Sequence, residues 1–129
     1  MSSLEDPMDL EEEKEAPKKK QKRKNNELQE RLKNIKIRQG IIGYILRTSR
    51  SASIDLKDPT KIIDYAVLSS TTLDAAADLS ETFELGEIQN ILLEGKDAKI
   101  LLLKVEDQRL SIFMDRNVDH EKIYRDLGM

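Results

Sequence analysis

Asp58-Pro59-Thr60-Lys61-Ile62-Ile63-Asp64-Tyr65-Ala66-Val67-Leu68-Ser69-Ser70-Thr71-Thr72-Leu73-Asp74-Ala75-Ala76-Ala77-Asp78-Leu79-Ser80-Glu81-Thr82-Phe83 reads as one helix. Asp58 is a residue type that caps a helix start, and Pro59 suits the first helical position, where its missing N–H is no loss. At about 100° per residue, Asp64, Asp74, Asp78 and Glu81 gather on one narrow acidic face. The remaining residues divide into two adjoining stripes. One carries Ile62, Ala66, Leu73 and Ala77, with Ile63 and Ser70 at its edge. The other carries Tyr65, Leu68, Thr72, Ala76, Leu79 and Phe83, and Ser69 lies where the two meet. Roughly half the circumference is then apolar or small, more than one sheet face needs. The pattern predicts a helix that packs on its own sheet with one stripe and on a second protein with the other. That points to a binding protein rather than an enzyme.

The totals fit this reading. A chain of 129 residues with 38% hydrophobic and only 4% aromatic content builds one domain around one modest core. With no Cys there is neither a disulfide framework nor a thiolate metal site, and a reducing, cytoplasmic setting is expected. The net charge of −3 exerts no general pull on nucleic acid. No apolar run reaches the roughly 18 residues of a membrane span, and acids follow the first methionine where a signal peptide would carry bases.

Residues 1–25 differ from the rest. Acids come first (Glu5, Asp6, Asp9, Glu11, Glu12, Glu13, Glu15) and bases follow (Lys18, Lys19, Lys20, Lys22, Arg23, Lys24). With Lys14 the segment holds seven of each sign, so the whole −3 belongs to residues 26–129. Too little apolar surface is present to offset the entropy of ordering, and a disordered tail is expected. The basic run could serve nucleic acid, nuclear import or an anionic membrane. It lacks interleaved aromatics for base stacking and an apolar face for lipid, so it reads as a solvated tether.

The domain follows from residue 26. Asn25-Asn26 can cap a helix in which Leu28, Leu32 and Ile35 recur at helical spacing, ending by Gly40. Strands are predicted over 41–47, 52–56, 88–94, 98–105 and 109–114, with a closing helix over 118–127. Ile42, Tyr44 and Leu46 are expected on one face of the first strand, with Ile41, Gly43 and Ile45 on the other. Ile100 and Leu102 oppose Leu101, Leu103 and Val105, and Leu110, Ile112 and Met114 oppose Phe113. Strands apolar on both faces need cover on both. Short turns make the sheet antiparallel, which gives an α+β, three-layer α/β/α sandwich of five strands in the order αββαβββα.

This order, with a small-residue central helix and a final three-strand meander, resembles the Roadblock/LC7 family, whose fold is profilin-like. The likeness spans 26–129. It is carried by Ile41-Ile42-Gly43-Tyr44-Ile45, by Leu73-Asp74-Ala75-Ala76-Ala77, and by Ile91-Leu92-Leu93-Glu94-Gly95 leading into Ile100-Leu101-Leu102-Leu103-Lys104-Val105. Ser49-Arg50-Ser51 stands where the family commonly has an Asp-Gly type turn. The resemblance implies a non-enzymatic dimer in which central helices pair across a two-fold axis and edge strands extend the sheet. Such dimers bind and regulate Ras-like small GTPases or act as adaptors. By that implication Ser69, Thr72 and Ala76 let two helices approach, Tyr65, Leu68, Leu79 and Phe83 supply buried area, and Ile88, Asn90 and Leu92 lie on the pairing edge. The partner in the dimer is a second copy or another Roadblock chain. Arg47 and Arg50 at the first hairpin's tip, with Asp64, Asp74 and Asp78, are the candidate GTPase contacts.

Catalysis finds little support in these residues. His120 stands alone, with no Cys and no second His, so it reads as an exposed or capping residue. Asp74 and Asp78, one helical turn apart, read as a solvated face rather than a cation site. Gly40 and Gly43 flank apolar strand residues and form no phosphate-cradling loop. No catalytic residue, metal or cofactor is expected, and neither an integral membrane span nor nucleic-acid binding. Two rival functions remain: a small-ligand sensor, and an adaptor working through residues 18–24.

Overall fold

A computed structural model describes residues 26–128. The expected disordered tail, residues 1–25, lies outside the described residues. Helix α1 covers residues 26–36, followed by strands β1 (Ile41–Arg47) and β2 (Ala52–Leu56). A single 3₁₀ turn (Pro59–Lys61) leads into helix α2 (Ile62–Phe83). Strands β3 (Asn90–Glu94), β4 (Ala98–Val105) and β5 (Gln108–Asp115) and helix α3 (His120–Asp126) complete the order αββαβββα. The strands form one antiparallel sheet in the order β2-β1-β5-β4-β3.

Both faces of the sheet are apolar and both are covered, as expected. On one, Leu28, Leu32 and Ile35 of α1, Ile123 of α3 and Leu127 just after it pack with Tyr44, Leu46, Leu101, Leu103, Leu110, Ile112 and Met114. On the other, Ile45, Leu56, Ile100, Leu102 and Phe113 lie under α2. Arg31 ties the first layer together by donating to the Leu127 carbonyl at 2.8 Å, and Arg38 pairs with Asp126 at 2.6 Å. Among the described residues no helix is long and apolar enough to cross a membrane.

The facing of β1 departs from simple alternation. Ile41 belongs to the α1/α3 core with Tyr44 and Leu46, while Ile42 packs with Ile45 on the α2 side. A register shift between Ile41 and Gly43 against β5 inserts one residue, and a one-residue insertion reverses every side chain before it. Gly43 makes the bulge possible. Its φ is +154°, and a Cβ there would collide with the Asp55 carbonyl and lie 2.7 Å from Leu56 Cα. The expected pairing of Ile42 with Tyr44 and of Ile41 with Ile45 is therefore reversed.

β3 is also shorter than the pattern suggests. Chain leaving α2 must turn through Gly86 (φ +81°), and β3 begins only at Asn90. Ile88 stands outside the strand, half-buried.

Candidate interaction surface

α2 is set in place by its start. The Asp58 carboxylate accepts from the Thr60 backbone N–H at 3.1 Å and from the Thr60 hydroxyl at 2.5 Å. These bonds hold it below the usual carboxylate range, the hydroxyl first and the backbone N–H second. From there Ile62, Tyr65, Ala66 and Leu73 pack onto the sheet, and the Tyr65 ring lies 4.5 Å from that of Phe113. The helix is seated along Ile62, Ala66, Ser69, Leu73, Ala76 and Ser80, whose steps alternate four and three residues. Ser69 is the one fully buried residue of the helix.

The helix therefore rests on the seam between its two stripes. Tyr65 and Ser69, expected in the outward set, lie on the sheet side instead. Ala76, also expected in the outward set, sits on the seated line, while Thr72 is half-buried on the flank and its hydroxyl donates back to the Leu68 carbonyl at 2.8 Å. Leu68, Leu79 and Phe83 remain 37%, 55% and 66% exposed, and Ile63 and Val67 stand out from the opposite flank. The Ser69 hydroxyl has no hydrogen-bond partner among the described residues. Its small volume lets the backbone approach the sheet, at the cost of an orphaned polar atom.

β3 pairs only with β4, so its outer row of backbone groups is unpaired. The strand Asn-Ile-Leu-Leu-Glu contains neither proline nor lysine to guard that edge. Ile91 packs toward α2. Asn90 and Leu92 turn the other way, onto a groove of about 460 Å³ walled by Leu101, His120 and Tyr124. Leu85 and Leu93 add exposed apolar surface near this edge that the sequence pattern does not single out.

The candidate GTPase contacts are dispersed. Arg47 is exposed and donates from Nη1 to the Ser70 hydroxyl at 3.2 Å. Arg50 sits on the hairpin tip, where the Thr48 hydroxyl oxygen accepts from the Ser51 and Arg50 backbone N–H groups at 3.0 and 3.2 Å. Thr48 thus closes the turn in place of an Asp-Gly pair. Asp64, Asp74 and Asp78 are all exposed along α2. Arg47 and Asp74 share an open cleft of about 880 Å³ between α2 and the sheet, whereas Arg50, Asp64 and Asp78 lie outside its walls. Among the described residues no group of three or more His, Asp and Glu side chains is placed to hold a metal.

His120 has a structural partner. Lys99 is buried, and its Nζ lies 3.0 Å from His120 Nδ1. An ammonium can only donate, so Nδ1 is the acceptor and the ring proton sits on Nε2. Asp119 caps the same helix, accepting from the Lys122 and Glu121 backbone N–H groups at 3.2 and 3.0 Å, which hold its carboxyl below the usual range. The surface as a whole offers contact area, a free strand edge and charged rims, which are the means of binding.

No protein-family model matches the sequence, and no curated protein sequence does. Solved structures do resemble it. A Roadblock/LC7 domain from Streptomyces avermitilis superposes with a TM-score of 0.58 at 14% identity, covering 70% of this chain and 78% of that one. The gliding protein MglB from Thermus thermophilus gives 0.61 at 15% identity, with 78% and 80% covered. MglB from Myxococcus xanthus gives 0.50 at 18% identity, with 68% and 75% covered. Element order, sheet order and these superpositions agree: the chain has the Roadblock/LC7 fold.

Proposed function

We propose that this chain is a non-catalytic, dimeric platform that binds and regulates a Ras-like small GTPase. The observation that carries the dimer is the uncovered flank of α2, where Leu68, Leu79 and Phe83 stay exposed on the layer adjoining the unpaired β3 edge. An apolar helix flank and a free strand edge on one protomer are the two halves of a self-complementary, two-fold interface. The GTPase is supported by the fold alone, through the family that the sequence resembles. A sensor role has less support. The larger cleft is open and rimmed by charged side chains such as Asp74, Glu81, Lys104 and Arg109, unlike the enclosed apolar pocket that buries a small ligand.

Sedimentation equilibrium of the full chain tests the dimer. The expected result is a dimer that Leu68→Glu or Leu79→Glu converts to a folded monomer with unchanged far-ultraviolet circular dichroism. These positions are preferred over Ala76, which lies on the sheet side, where a glutamate would disturb the fold as well. A monomeric wild-type chain would overturn the homodimer. Binding to a panel of Ras-like GTPases loaded with a non-hydrolysable GTP analogue tests the partner, and silence across the panel would remove the GTPase from the reading.

A further inference from the structure

A second free edge lies at the far side of the sheet from β3. β2 pairs only with β1. Lys57 donates its backbone N–H to the Ile42 carbonyl at 3.0 Å, and Thr48 donates to the Ser51 carbonyl at 2.8 Å. In the register of the two strands these bonds fix the alternation. Ser53 and Asp55 bond to β1, and the N–H and C=O groups of Ala52, Ile54 and Leu56 point away from the sheet. Leu56 is buried, so Ala52 and Ile54 are the open positions. Neither proline nor lysine interrupts the strand.

The α2 side of this edge is apolar and uncovered. Ile54 is opposite Ile45, which packs beneath α2, so both point to that side. Ile63, Val67 and Ser70 share one flank of α2, at spacings of four and three. Ser70 accepts from Arg47, and Arg47 is opposite Ala52, so that flank faces the β2 side of the sheet. Ile63, 76% exposed, is the most exposed large apolar residue of α2, and Val67 and Ile54 are exposed as well. The dimer proposed above uses the other flank and β3, which leaves this patch open.

The rim carries the charge. Arg50 stands at the hairpin tip before β2, and Lys57 and Lys61 follow its other end; all three are exposed. The acids between them are engaged: Asp55 pairs with Lys36 on the α1 side, and Asp58 accepts from Thr60. Asp64 is on the side of α2 turned away from the sheet. Arg47 is turned into the larger cleft, where Asp74 also stands. An edge with an apolar middle and cations at both ends, on a chain of net charge −3, fits a strand with acids at its ends.

We infer that the outer edge of β2 receives an extended segment of a partner protein, apolar at alternate positions in its middle and acidic at both ends, which adds to the sheet as a further strand. Backbone bonds to Ala52 and Ile54 supply the pairing. Ile54, Ile63 and Val67 read the apolar residues, and Arg50, Lys57 and Lys61 read the acids.

The probe is a blocked peptide of alternating valine and threonine with two glutamates at each end, added to the ¹⁵N-labelled full chain. Amide hydrogen exchange is read residue by residue. In the free chain Ala52 and Ile54 should exchange fast, and Ser53 and Asp55 slowly. With peptide at about ten times its dissociation constant, exchange at Ala52 and Ile54 should slow about tenfold while Ser53 and Asp55 stay as they were. The same peptide with lysines at its ends should have no effect. Ile54→Lys should lose the response, and Arg50→Glu/Lys57→Glu should transfer it to the lysine-ended peptide, both with unchanged circular dichroism. Indifference of Ala52 and Ile54 to the peptide at any soluble concentration overturns the inference, as does slowing that ignores the sign of the peptide's ends. Slow exchange at Ala52 and Ile54 without peptide, lost on dilution, would assign the edge to a second copy and equally overturn it.

Discussion

The two faces of the sheet are built from the same residue types and closed by different means. Under α1 and α3, Leu32, Ile35, Ile41, Ile112 and Met114 are almost wholly buried, and the Arg38–Asp126 ion pair ties the end of α1 to α3. Over the other face a single long helix rests on a line that includes two serines, and Ile63, Val67, Leu68 and Leu79 project sideways or outward from it. One face is finished within the chain. The other is covered without being sealed, and the apolar surface left over is what a second molecule would use. Burial thus separates the part of the sequence that makes the fold from the part that offers an interface.

Leucine truncations on the two sides should break this comparison if it is wrong. Leu32→Ala should lower unfolding free energy by about 2–5 kcal/mol, as expected for a large-to-small change in a filled core. Leu79→Ala should stay within about 0.5 kcal/mol in urea unfolding of the dilute, monomeric chain. Similar costs at both sites would mean that α2 is sealed after all. The sealed face also holds a buried polar contact, the Lys99 ammonium against His120. His120→Ala should therefore cost about 1–3 kcal/mol by leaving that donor unpaired. Ser69→Ala has the opposite sign. Removing the orphaned hydroxyl under α2 should stabilise the chain by about 1 kcal/mol, and a loss would reveal a bonding partner for it.

The smallest effects are those of pH. Asp58 and Asp119 are held below their ordinary values in the folded chain, so their contribution is present above the unfolded carboxylate pKa of about 4 and is lost as pH falls through the folded values. Tyr44, in the sealed core, is raised by burial and then by the nearby Asp55 carboxylate. Its contribution is present below about pH 10 and is lost as pH rises through the higher folded value. Acid melts followed by circular dichroism should loosen the starts of α2 and α3, while alkaline melts followed by tyrosine absorbance should open the α1/α3 face.

Much of the architecture was legible because periodicity reports burial. Leu28, Leu32 and Ile35 mark α1, and the alternation through Leu101, Leu102 and Leu103 marks a strand covered on both sides. Two features escape the pattern for identifiable reasons. Gly43 is visible as an internal glycine, but the bulge depends on the β5 register, which no local pattern encodes. The seat of α2 is hidden because small residues give a close approach without a strong apolar signal, so Ser69 and Ser80 count for less than Leu68 and Leu79. Of the candidate interface, Leu68, Leu79, Phe83 and Leu92 are exposed, while Tyr65 and Ser69 belong to the sheet side. That β2 ends the sheet on the side of Ile63 and Val67 cannot be read at all without strand order.

The placement of β1 beside β5 has a consequence in time. Tyr44 pairs with Ile112 and Leu46 with Leu110, so the middle of the sheet joins the first strand to the last. On a ribosome the first hairpin and α2 are made well before the strand that completes their layer. Closing so long a loop is slow compared with forming a hairpin. Until β5 is released, Tyr44, Ile45 and Leu46 have no neighbour on that side, and the unguarded β3 is exposed with them. The growing chain therefore carries its greatest aggregation risk during the synthesis of β3 and β4, and that risk ends when residues 108–115 join the sheet.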